Sequence, residues 1–339
     1  MSERPKAIFL ETEDWFQPAL ADRLAGQVEP LFVPGPIDQA SDADLADAQA
    51  VSPFVHSELT AEQLARMPRL RLVATRSTGY DHVDLDYCNT HGVAVANVPR
   101  YGQNTVAEHT FALILNLTRR VHEAWERTMR GDFSVHGLRG WDLRGKRLGV
   151  VGTGAIGLHV VAIARGFLMD VVAFDPFPRD DAADILGYRY VELDELIATS
   201  DVITLHCPLT DANHHLLGAD RFARMKDGVL VINTARGGLI DTASLLAALK
   251  SGKVGGAGLD VLEEEDMIDE ESELLSDQFD ARRLQRMMQN HVLAKHPRVI
   301  ITPHIAFNSE EAVRRIVETT ADNVVEFFAG RPRNLVNRR

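Results

Sequence analysis

The chain has 339 residues, 45% of them hydrophobic and 25% charged, the balance of a globular protein with room for two domains and a sizeable core in each. A formal net charge of −13 argues against non-specific nucleic-acid binding, and the one basic cluster, residues 331–339, reads as a solvated end. Two cysteines, Cys88 and Cys207, lie far apart, so neither a disulfide framework nor a CxxC metal site is visible.

From the N-terminus, a polar start runs into a short apolar stretch, which reads as a strand rather than a signal peptide or membrane span, and a cytoplasmic protein is expected. Short apolar runs then alternate with amphipathic stretches, the pattern of parallel sheets covered by helices. Strands are expected at 7–10, 31–33, 50–52, 72–74 and 94–96, with a helix at 61–66 among them. The stretch 105–130, apolar first and charged later, reads as one long helix bridging two domains. Residues 131–145 read as a connection. A second series follows, with strands at 147–151, 171–174, 202–205, 229–232, 256–259 and 299–301. The last helix, 310–328, has no further domain to serve and is expected to return to the first. The expected division is therefore 1–100 plus 306–339 for one domain and 101–305 for the other.

The run Gly152-Thr153-Gly154-Ala155-Ile156-Gly157 directly follows a strand and opens a helix. The first glycine permits a tight turn, the second lets the backbone approach a pyrophosphate, and the third permits close helix–strand packing. The free amides of Ala155 and Ile156 and the positive helix end favour phosphates. Asp175 ends the next strand, where a carboxylate accepts ribose hydroxyls and repels a 2′-phosphate. NAD is therefore expected over NADP, although Arg179 lies near enough downstream to assist a 2′-phosphate.

A dinucleotide site can serve hydride exchange, and at a carbonyl that carries a carboxylate this needs a cation for the carboxylate, a proton donor, and a group that keeps the donor protonated. Arg236, followed by two glycines, ends one strand of the second series and suits the first role. His304, in Thr302-Pro303-His304, ends the last and suits the second. Glu265, in the loop beyond the strand that Asp260 ends, suits the third. Singly these are a surface arginine, a loop histidine and a solvated carboxylate; together, on successive strand ends after a dinucleotide turn, they read as a site. His206 reads as a backbone contact to the cofactor, and His109, on the bridging helix, as a domain contact. No His/Cys/Asp cluster has metal-ligand spacing, so no metal is expected.

The chain resembles the D-isomer-specific 2-hydroxyacid dehydrogenases, and within them the D-lactate dehydrogenase branch. The resemblance rests on residues 76–81, 97–99, 107–109, 152–157, 206–210, 233–241, 259–261 and 302–307. It implies an α/β fold of two Rossmann-like parallel-sheet domains, one flavodoxin-like and one NAD-binding, around a cleft, dimerised through the cofactor domain. It implies that Arg236 binds the substrate, that His304 is the proton donor and that Glu265 pairs with it. Gly152, Gly154, Ala155, Ile156, Gly157, Asp175, His206, Cys207, Pro208, Asn213, Thr234 and Ala235 would line the NAD site, and Asp260 its nicotinamide end. Thr78 and Gly79 would offer amides to the substrate carboxylate, with Tyr101 in its pocket. The long acidic span from Glu265 to His304 points to the lactate branch. Aromatics around Phe54, with Trp15 or Phe16, could instead admit a larger acid such as phenylpyruvate. Formate or phosphite dehydrogenases share the fold, but Glu265 speaks against the first. A dinucleotide-sensing corepressor is a rival of another class, weighed against by the short termini.

Overall fold

The structure, a computed structural model, describes residues 4–14, 16–54, 57–263 and 281–337, with the side chains of 281–284 excepted. The chain divides into two compact units, residues 1–101 with 308–339, and residues 102–307. No helix among the described residues is long and apolar enough to cross a membrane.

The first unit is built on five parallel strands: β1 (Lys6–Phe9), β2 (Glu29–Phe32), β3 (Ala50–Ser52), β4 (Leu72–Ala74) and β5 (Ala94–Ala96). Their order is β2-β1-β3-β4-β5, the flavodoxin-like arrangement. β3 and β4 are buried at every position, as strands covered on both faces must be. The helix Glu310–Phe328 belongs to this unit, and its apolar stripe of Val313, Ile316, Val317 and Val324 is buried. The chain beyond it closes the unit by pairing Leu335 with Ala96.

The second unit holds seven parallel strands: β6 (Arg147–Val151), β7 (Asp170–Phe174), β8 (Arg189–Tyr190), β9 (Val202–Leu205), β10 (Val229–Asn233), β11 (Val254–Leu259) and β12 (Val299–Ile301). Their order is β12-β11-β10-β9-β6-β7-β8, a Rossmann order with one added strand. Because all pairs are parallel, every carboxyl end emerges along one edge. The order reverses between β6 and β9, and that switch point is where such sheets take ligands. The two-residue β8 carries too little pattern to be read from sequence.

The expected bridging helix over 105–130 is two helices, Gln103–Arg119 and Val121–Met129. Both lie in the second unit. The break has a local cause. The returning chain at Trp141 donates its amide to the Thr118 carbonyl, which an unbroken helix would have given to His122. The His122 amide bonds the Asn116 side chain instead, at 2.8 Å, and Arg120 between them turns left-handed with φ 51°. The second helix buries no side chain, and Val121, Trp125 and Met129 form an exposed stripe at four-residue spacing.

Candidate active site

The glycine turn after β6 is shaped by contacts that leave no room for side chains on its inner side. A Cβ on Gly152 would lie 2.7 Å from the backbone of His206, and one on Gly157 only 2.0 Å from the Gly152 carbonyl. Gly152 also has φ 94°. At Gly154, by contrast, a Cβ would meet nothing within 4 Å, so the turn is open on the side where a pyrophosphate would approach. Gly154 caps the helix Ala155–Gly166, and neither a capping side chain nor an acidic residue occupies its first turn. Packed tightly behind and open in front, with an uncompensated helix N-terminus, the turn fits a dinucleotide.

Asp175 follows β7. Its Oδ2 accepts from the Thr153 amide at 2.7 Å and the Thr153 hydroxyl at 3.1 Å, and its Oδ1 from the Phe177 amide at 2.9 Å. His206 gives its amide to Val151, and its Nε2 lies 2.8 Å from the Thr204 hydroxyl. Its Nδ1 is buried and has no partner among the described residues, and burial pushes the ring down to about 3, so the imidazole is neutral. The Cys207 thiol is pushed up to about 11 by burial and stays protonated. The Asn213 side chain is spent on its own loop, with its amide on the Pro208 carbonyl and its carbonyl taken by Thr210.

Three adjacent strand ends carry the remaining candidates. After β10, Asn233 folds the loop locally: its Nδ2 donates to the Arg236 carbonyl and its Oδ1 accepts from Ala235. The Thr234 hydroxyl lies 3.1 Å from that of Thr110 on the helix Gln103–Arg119. After β11, Asp260 is 1% exposed. Its Oδ1 accepts from the Thr302 hydroxyl at 2.5 Å and the Ile305 amide at 3.0 Å, and its Oδ2 from the Ala306 amide at 2.9 Å. The His304 amide reaches the Asp260 carbonyl at 2.9 Å. His304 itself has φ 52°, left-handed backbone that an L-residue holds only when its surroundings compensate. Asp260 is that compensation: it grips the chain on both sides of the histidine. A contact from Asp260 to the nicotinamide end would come from a carboxylate that already carries this loop.

The His109 ring makes its hydrogen bond within the second unit. Its Nε2 lies 3.0 Å from the Thr302 hydroxyl and 3.5 Å from Asp260 Oδ1. Thr302 gives its only proton to the carboxylate, so His109 is the donor to Thr302 through a protonated Nε2. Glu265 and Trp15 lie outside the described residues. Glu263, just before that segment, is buried among His215 Nε2 at 2.7 Å, the Thr242 hydroxyl at 3.0 Å and the Arg286 guanidinium. His214, His215 and Glu263 offer ligand atoms within 4.8 Å of one another, a cluster that sequence spacing did not show. Its one carboxylate is already neutralised by Arg286, which leaves little charge for a cation.

In the first unit, the Thr78 hydroxyl donates to the Val98 carbonyl at 2.8 Å and Asn97 Nδ2 to the Thr78 carbonyl at 2.7 Å. No described group accepts from the amides of Thr78 and Gly79. The Tyr101 carbonyl accepts from Arg315 Nε at 2.6 Å. Beside this loop Arg76, 2% exposed, bonds the Leu10 carbonyl and lies under the rings of Phe16 and Phe54 at 5.1 and 5.3 Å. Burial lowers its guanidinium to about 10.

A seven-stranded Rossmann sheet with a dinucleotide turn, a carboxylate after β7, and arginine and histidine beyond the strands that flank β11 fits a nicotinamide-dependent oxidoreductase. Residues 111–306 match the family described as D-isomer specific 2-hydroxyacid dehydrogenase, NAD binding domain. The chain is 41% identical over 262 residues to an aromatic 2-oxoacid reductase of Clostridium sporogenes, covering 76% of each chain. It is 39% identical over 287 residues to the D-lactate dehydrogenase of Escherichia coli, covering 83% of this chain and 84% of that one. A solved D-lactate dehydrogenase from Aquifex aeolicus, complexed with NAD and lactic acid, superposes with a TM-score of 0.88 at 36% identity, covering 98% and 99% of the two chains. The protein belongs to the D-2-hydroxyacid dehydrogenase family, in its D-lactate dehydrogenase-like branch, and is an NAD-dependent oxidoreductase acting on CH–OH donors.

Proposed function

We propose that the protein reduces a pyruvate-like 2-keto acid to the D-2-hydroxy acid, with Arg236, Glu265 and His304 as its catalytic set. NAD supplies the hydride carrier. Arg236 binds the substrate carboxylate through its planar fork and polarises the carbonyl. His304 protonates the carbonyl oxygen in reduction and takes the proton back in oxidation. Glu265 favours the imidazolium and so keeps the donor loaded. The amides of Thr78 and Gly79 receive the substrate carboxylate, with Tyr101 in the pocket. The dinucleotide is held by Gly152, Gly154, Ala155, Ile156, Gly157, Asp175 and the backbone of 206–208 and 234–235.

The observation that carries this reading is the grip of Asp260 on the His304 loop. A strained histidine backbone held from both sides supports a positioned side chain at that point, as a proton donor needs. The test is NADH consumption with pyruvate, glyoxylate, hydroxypyruvate, 2-ketoisocaproate and phenylpyruvate, for the parent and His304→Ala. Pyruvate is expected to be the best substrate. His304→Ala is expected to lose about 100-fold or more in turnover while NADH still binds. Parent-like rates in that variant remove the proton donor.

One observation favours a bulkier acid. The ring of Phe54, half-buried over Arg76, gives the first unit an aromatic wall, and one relative is named for aromatic 2-oxo acids. Preference for phenylpyruvate in the same panel would select that reading.

The partner we propose is a second copy of the chain. The helix Val121–Met129 buries nothing within its own unit, yet carries Val121, Trp125 (63% exposed) and Met129 in line, followed by exposed Phe133 and Val135. An apolar stripe of this kind marks an interface, and it lies in the domain through which the family resemblance implies dimerisation. Sedimentation is expected to give a dimer for the parent and a monomer for Trp125→Glu. An unaltered dimer in the variant moves the interface elsewhere.

A further inference from the structure

Behind Asp175 stands a chain of hydroxyl groups that the turnover reading does not use. The Thr153 hydroxyl, 3.1 Å from Asp175 Oδ2, lies 2.7 Å from the Tyr190 hydroxyl. The Tyr190 oxygen lies 2.9 Å from the Tyr188 hydroxyl and 3.0 Å from the Arg179 amide. Hydrogen counting gives this chain one direction. An ionised carboxylate only accepts, so Thr153 donates to Asp175. Thr153 then has only lone pairs left, so Tyr190 donates to Thr153. The Tyr190 oxygen is left to accept, and its donors are the Arg179 amide and the Tyr188 hydroxyl. Every proton points toward Asp175. Such one-way chains strengthen each bond in turn. Burial holds the Tyr188 phenol above its ordinary range, so it remains a donor.

The placement follows from the sheet. β8 is the edge strand beside β7, and Tyr190 pairs in register with Ala173, two residues before Asp175. The phenol thus reaches under the strand end to the middle residue of the glycine turn.

We propose that Tyr188, Tyr190 and Thr153 form a one-way hydrogen-bond relay that locks the Asp175 carboxylate and the glycine turn in one arrangement, and so enforces selection of NAD over NADP. The three are positioning residues; none is assigned a contact to the cofactor. The argument rests on Asp175 as the ribose contact. A 2′-phosphate requires that carboxylate to turn away, and the relay opposes the turn by adding the Thr153 hydroxyl bond to the one from the Thr153 amide. It also ties the Arg179 backbone to Tyr190, away from free adjustment toward a phosphate. The Arg179 side chain lies 4.0 Å from Asp181, on the exposed side.

The test measures NADH and NADPH dissociation constants by nicotinamide fluorescence, with no substrate present, alongside thermal melting. Asp175→Ala is expected to collapse the NADPH-to-NADH ratio. Thr153→Val, which removes the bond to the carboxylate, should narrow it about tenfold, and Tyr190→Phe, which removes a neutral bond behind it, about fivefold. Thr153→Ser, which keeps the hydroxyl, should retain the parent ratio, and Tyr188→Phe should fall between. The double variant Tyr190→Phe/Thr153→Val should match Thr153→Val alone, because the two act in series. Should Tyr190→Phe fail to fold, Thr153→Val against Thr153→Ser decides the point. A parent-like ratio in Thr153→Val and Tyr190→Phe, with a collapsed one in Asp175→Ala, overturns the relay and leaves the ribose contact standing. An unmoved ratio in Asp175→Ala overturns both.

Discussion

Asp175 and Asp260 end two strands of the same sheet, and both were assigned to the cofactor from sequence. Their surroundings differ. Asp260 is buried, and its oxygens are taken by one hydroxyl and two amides of the loop 302–306. Asp175 is half-buried, bonded by Thr153 and Phe177 on the protein side, at the rim of an open turn. A carboxylate whose bonds close a loop supports the fold and the geometry of its neighbours. One whose bonds fix its own position beside open space suits the ribose contact proposed for Asp175. Among the described residues each carboxylate has three donors, so burial and the source of those donors, not their number, set the two apart.

Asp260→Ala breaks this comparison most directly. It strands the Thr302 hydroxyl and the amides of Ile305 and Ala306, and it releases a left-handed histidine. A loss of about 3 kcal/mol in folding stability is expected, read by denaturant unfolding, together with loss of turnover. If stability is unchanged, Asp260 is not the anchor. Asp175→Ala should do the reverse: little change in unfolding, with the loss confined to dinucleotide selectivity. A large fall in stability there would erase the distinction. The smallest effect is expected from His109→Ala, which leaves the Asp260 bonds in place but removes the donor to Thr302. About 1 kcal/mol of stability and a several-fold fall in kcat with little change in NADH affinity are the outcomes to check. An unchanged kcat would return His109 to a purely packing role.

Strand positions were readable to within two residues along most of the chain, because a strand covered on both faces is a short apolar run wherever it stands. β8 escaped, since two residues such as Arg189 and Tyr190 carry no period. The helix over 105–130 was misread for a different reason. Its sequence has no proline or glycine at the break; the break is made by Trp141 taking the Thr118 carbonyl. A similar substitution of context for composition occurs at Leu168. Leu168, just past the end of the helix Ala155–Gly166, has φ 59° with its side chain exposed. The helix end keeps its left-handed geometry without the residue that adopts it most cheaply.

The dinucleotide turn, Asp175, Arg236 and His304 could be proposed from sequence because each belongs to a contiguous strand–turn pattern, and local backbone chemistry is written locally. Tyr190 behind Asp175, His109 behind Thr302, and the cluster of Glu263 with His215 and Arg286 could not. They meet only when parallel strands are laid side by side and a helix crosses behind them. The order of the strands, set by burial of whole faces rather than by any short motif, decides which hydroxyl, imidazole or amide completes a given carboxylate.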